Sequence, residues 1–125
     1  MAHIVEAWYD DVYSLVCTDD TLREYRTTLL NPANIVDRAH EIRVREFLKL
    51  AEGFVDRADP AAEDLPRIRD DHDRKWLAAA IGGRADYLVT VDGDFLDDPD
   101  LIRTMRDLGV DVTRPGLFLR EIERP

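Results

Sequence analysis

Ala85-Asp86-Tyr87-Leu88-Val89-Thr90-Val91-Asp92-Gly93-Asp94-Phe95-Leu96 decides how the rest of the chain is read. Residues 85–91 are almost uninterruptedly apolar and rich in β-branched and aromatic side chains, which is the pattern of a parallel strand covered on both faces. Two acids, Asp92 and Asp94, follow at the carboxyl end of that strand, with a glycine between them. Immediately upstream, Trp76, Leu77, Ala80 and Ile81 repeat at helical spacing from about Asp73 until Gly82-Gly83 stops them. Downstream, Asp98 can cap and Pro99 can open a helix whose Leu101, Ile102, Met105 and Leu108 face inward, with Gly109 at its end. A short strand at 110–113 and a turn at Arg114-Pro115-Gly116 lead into a terminal helix. Helix and strand therefore alternate, and a helical crossover between strands implies a parallel sheet.

The amino-terminal half fits the same plan. Residues 1–11 read as a short helix, and Val12 to Cys17 as a buried strand. Thr18 can cap a helix running to about Leu30, where Asn31-Pro32 ends it. A longer helix is expected from about Ile35 to Arg57, with an arginine-rich outer face, and the prolines and acids of 59–66 mark a loop. The fold class is α/β, with helices on both sides of the sheet and one domain over residues 1–125.

Composition narrows the classes of function. The chain has 125 residues, 45% hydrophobic and 35% charged, enough to bury one core. No apolar run approaches the length of a membrane span, and residues 1–11 lack the pattern of a signal peptide, so a cytoplasmic protein is expected. Cys17 is the only cysteine, which excludes an internal disulfide and a thiolate metal site. The net charge is −10, unfavourable for nonspecific binding to phosphate backbones. The acids crowd 56–73 and 92–100, and clustered carboxylates repel one another unless solvent, basic neighbours or a cation relieves them.

Four acids stand where a pocket at the carboxyl ends of the strands would collect them: Glu24, Asp73, Asp92 and Asp94. Hard oxygen donors of this kind suit Mg²⁺ or Mn²⁺, and such a site can orient water and stabilise charge building on a phosphodiester. Taken singly, each has a plain structural reading: Glu24 as a helix-surface acid, Asp73 as a favourable charge at a helix start, and Asp92-Gly93-Asp94 as a turn. His72 lies among acids without any partner at zinc spacing. Arg69, Arg74 and Lys75 adjoin the acids and serve equally to touch a phosphate or to neutralise carboxylates. Trp8 and Trp76 sit at core positions.

The run from Asp73-Arg74-Lys75-Trp76-Leu77-Ala78-Ala79-Ala80 through Ala85 to Leu96 resembles the signature of PIN domains, in the VapC-like branch of toxin components of toxin-antitoxin systems. Leu15-Val16-Cys17-Thr18 with Leu22-Arg23-Glu24, and Val112-Thr113-Arg114-Pro115 with Phe118-Leu119, extend the resemblance over nearly the whole chain. It implies a three-layer α/β/α domain and an endoribonuclease that cleaves single-stranded RNA with Mg²⁺ or Mn²⁺. Glu24, Asp73, Asp92 and Asp94 would hold the ion, Thr90 would organise the acids from behind, and Asp70 would stand further out. It also implies a first central strand ending in an aspartate ligand, which is expected to be missing here and to impair activity. A noncatalytic module that binds an antitoxin protein or a second copy, as a dimer, is the competing expectation.

Overall fold

The computed structural model describes residues 2–63 and 65–123. Among them, α1 (Ala2–Tyr9), β1 (Val16–Cys17), α2 (Asp19–Leu29), α3 (Arg38–Phe54), β2 (Asp56–Arg57), α4 (Arg74–Gly82) and β3 (Tyr87–Val89) come first. The short α5 (Gly93–Leu96), α6 (Pro99–Asp107), β4 (Asp111–Thr113) and α7 (Pro115–Glu123) complete the order. This is the expected α/β architecture, with parallel strands joined through helices.

Local chemistry sets several of the boundaries. Thr18 and Thr21 form a reciprocal capping box: the Thr21 N–H donates to Thr18 Oγ1 at 3.2 Å and the Thr18 N–H to Thr21 Oγ1 at 2.9 Å. Both side chains are buried, so these bonds are shielded from water at the start of α2. Asp98 caps α6 through a 3.1 Å bond from the Leu101 N–H, Pro99 opens it, and Gly109 takes a φ of 90° just beyond it. Gly82 serves a different purpose from the helix stop its sequence suggests. A Cβ there would lie 2.1 Å from the Asp59 carbonyl oxygen, so glycine is needed for the loop to approach α4.

Three expectations are revised. The strand anticipated over 12–17 is confined to Val16–Cys17. The helix anticipated to Arg57 ends at Phe54, and Asp56–Arg57 form a strand instead, parallel to β1. Both β2 residues are exposed and charged, so no apolar alternation announces them. Finally, β3 has only one strand neighbour. The strands form two separate parallel pairs, β1 with β2 and β3 with β4, and among the described residues none bridges β1 and β3. Tyr87, Leu88 and Val89 are consequently half-buried, and Val91 is 76% exposed.

The main core lies where α4, α6 and the β3–β4 pair meet. Leu77, Phe95, Leu101, Met105, Val110 and Val112 are its buried centre. It anchors the start of α4 and the turn after β3, the two places from which the acids project.

Candidate metal centre

The chain turns twice at the acidic end of β3. After Val89, the Asp92 N–H donates to Thr90 Oγ1 at 3.0 Å, and Asp92 Oδ1 in turn accepts from the Asp94 N–H at 2.9 Å. Asp92 thus caps the short α5, and Thr90 fixes the Asp92 backbone. On the facing segment, Asp70 caps a single 3₁₀ turn at Asp71–Asp73, its Oδ1 accepting from the His72 N–H at 3.0 Å. The Asp73 N–H donates to the Asp70 carbonyl at 3.0 Å, and α4 starts at the next residue.

These turns bring Asp70, Asp73 and Asp94 together: one carboxylate oxygen from each lies within 4.8 Å of the others. Asp73 Oδ2 is shut off from solvent and has no hydrogen-bond partner. Burial of an acceptor without a donor is costly, so this oxygen is where the site is least satisfied. Burial, foremost, and then the charges of Asp92, Asp70 and Asp94 push the Asp73 carboxyl above its ordinary pKa, with His72 opposing. Three converging carboxylates, one of which carries an orphaned oxygen, fit a divalent cation of the Mg²⁺ or Mn²⁺ kind.

Two of the basic neighbours are engaged. Arg69 lies 3.6 Å from Asp94 Oδ1, and Lys75 Nζ donates to Glu24 Oε1 at 3.4 Å across the α2–α4 contact. Of the four acids proposed from sequence, Asp73 and Asp94 stand in the cluster. Asp92 is close enough to act on Asp73 electrostatically, but commits one oxygen to the α5 cap. Glu24 stands outside the cluster, held by Lys75. Asp70, expected to stand further out, is a member. Its cap of the 3₁₀ turn ending at Asp73 sets the two acids side by side.

The family model for the PIN domain matches residues 1–94, three quarters of the chain, and takes in every acid of the cluster. This chain is a PIN domain. No curated protein and no solved structure gives a match. Membership establishes a nuclease-type fold, and it agrees with Asp92 and Asp94 standing at the carboxyl end of β3, where ligands of α/β sheets bind. No described helix of this PIN domain is long and apolar enough to cross a membrane.

Proposed function

We propose that this PIN domain is a divalent-metal-dependent endoribonuclease of the toxin type, acting on single-stranded RNA. The observation that carries the reading is the convergence of one carboxylate oxygen each from Asp70, Asp73 and Asp94, together with the buried, unpartnered Oδ2 that the Asp73 carboxylate carries. These three carboxylates would hold Mg²⁺ or Mn²⁺, and Asp92 would complete the negative field. When bound, the ion would supply the positive charge that offsets charge developing on a phosphodiester and would ease deprotonation of water.

The chain's own residues do the rest. Thr90 and the Asp92 cap hold the backbone of Asp92 and Asp94 in place, so the turn fixes where the Asp94 side chain starts. Arg69, 75% exposed and paired only at 3.6 Å, is free to leave Asp94 and meet an incoming phosphate. Lys75 orients Glu24 on the rim. Glu24 held by Lys75 leaves three converging donors where four were expected, so the activity proposed is weak.

The test is cleavage of unstructured RNA with Mn²⁺. Metal-dependent cleavage lost in Asp73→Asn supports the reading. Cleavage unchanged in Asp73→Asn, or equal with EDTA, overturns it. The same shortfall of donors favours the second reading, a noncatalytic module in complex with an antitoxin or as a dimer. Absence of cleavage, together with a thermal midpoint that ignores metal, would select it.

A further inference from the structure

Arg69, Arg74 and Lys75 border the acidic end of β3, and their partners set them apart. Lys75 is held by Glu24 at 3.4 Å, outside the cluster, so events among Asp70, Asp73 and Asp94 leave its partner in place. Arg74 is exposed at the start of α4. Among the described residues, Arg69 alone is paired with a member of the cluster, its Nη1 lying 3.6 Å from Asp94 Oδ1.

At that distance the contact is an ion pair without a hydrogen bond, held by charge alone. The Arg69 side chain is 75% exposed and that of Asp94 26%. An ion pair with one partner largely in water contributes little and exchanges readily. The backbone on either side is fixed: Ile68 packs against the main core, and Asp70 caps the 3₁₀ turn through the His72 N–H. The freedom of Arg69 is therefore that of its side chain, swinging from a tether anchored at both ends.

The charges around Asp94 define what can displace the guanidinium. Asp70, Asp73 and Asp94 each bring one oxygen within 4.8 Å of the others, and Asp92 adds its charge to Asp73. Against this group Arg69 offers one positive charge from the edge, whereas a divalent cation offers two among the oxygens. Two positive groups on one carboxylate repel each other, so Arg69 and the cation compete. A phosphate suits the displaced guanidinium, whose forked donors match pairs of phosphate oxygens.

We propose that Arg69 competes with a divalent cation for Asp94 and passes to a phosphate of the RNA strand when the cation site fills, so that cation and RNA each strengthen the other's binding. This coupling rests on the reading of the cluster as the metal site of a ribonuclease and adds to it. By linkage, the factor by which the cation raises RNA affinity equals the factor by which RNA raises cation affinity. Arg69 is thus a positioning residue with opposed effects: it weakens binding of the cation alone and strengthens binding of RNA to the loaded site.

Mn²⁺ is titrated calorimetrically into the wild type, Arg69→Gln, Arg69→Lys and Arg67→Gln. Binding of a short fluorescent 2′-O-methylated RNA, verified intact, is followed by anisotropy in Mn²⁺ and in EDTA. Arg67 is an exposed arginine two positions upstream, so its substitution removes the same charge from the same segment. Arg69→Gln should bind Mn²⁺ about threefold to tenfold more tightly while losing RNA affinity in Mn²⁺ by a similar factor. Arg69→Lys, which keeps the charge, should restore both in part, and Arg67→Gln should bind Mn²⁺ as the wild type does. A merely structural role for Arg69 would not move the two affinities in opposite directions. Equal or weaker Mn²⁺ binding by Arg69→Gln overturns the coupling, as does an undiminished gain in its RNA affinity on adding Mn²⁺. An equal gain in Arg67→Gln reduces the effect to net charge and overturns it too. A wild type that binds no Mn²⁺ overturns the metal-site reading itself, and the coupling with it, which keeps the two failures apart.

Discussion

At the residue scale, Asp73 is the acid of the cluster under the greatest strain, with a buried oxygen that has no partner. Its pKa is raised in the folded chain, chiefly by burial and then by Asp92, Asp70 and Asp94, so the native state keeps this proton to higher pH than the unfolded chain does. The stability it contributes is therefore present in full below about pH 4 and is lost as pH rises through the native pKa. Urea midpoints measured in EDTA from about pH 4 to about pH 7 should fall for the wild type relative to Asp73→Asn and then level off. Parallel curves would contradict the crowding described here. Asp73 and Asp94 were legible from sequence because they flank a helix start and a strand end. Asp70 was not, since a residue that caps a turn and a residue that meets an ion look alike until the facing loop is in place. Nor was Glu24's engagement, because Lys75 is 51 positions away in the chain.

At the element scale, the long helices and the strands β3 and β4 were readable, and the strand β2 was not. Thr18 marked the start of α2 correctly, since a capping threonine acts through its immediate neighbours. Thr18→Ala should cost about 1 to 2 kcal/mol, read as a lower urea midpoint with an unchanged m-value, because it removes both the cap and a buried partner of Thr21. Gly82→Ala should cost a comparable amount, about 1 to 3 kcal/mol, since its Cβ would meet the Asp59 carbonyl and the Ala61 nitrogen, which are backbone atoms and cannot simply rotate aside. If that substitution is neutral, the packing of the 59–61 loop on α4 is wrong. The strand β2 escaped sequence reading because Asp56 and Arg57 earn their conformation only by pairing with β1, a long-range effect that no local pattern carries. For β3 the composition correctly indicated a strand, but the cover expected on both faces is incomplete: its residues are half-buried, and among the described residues it is paired on one edge alone.

At the scale of the whole molecule, charge and cavity act together. Surplus negative charge and an orphaned carboxylate both predict that a divalent cation stabilises the fold, by about 2.7 kcal/mol at a hundredfold excess over its dissociation constant. Cys17 offers an independent check on compactness. It is fully buried, and burial pushes its thiol up to about 11, so a thiol reagent at neutral pH should leave it unmodified until the chain unfolds. Rapid labelling of the folded protein would show that the α2–β1 region opens readily. The central claim, that Asp70, Asp73 and Asp94 share one cation, is tested most directly by calorimetric titration of Mn²⁺ into the wild type, Asp73→Asn, Asp94→Asn and the distant Asp100→Asn. One saturable site in the wild type and Asp100→Asn, lost in Asp73→Asn and Asp94→Asn, is the predicted result. The same isotherm in all four proteins would contradict it.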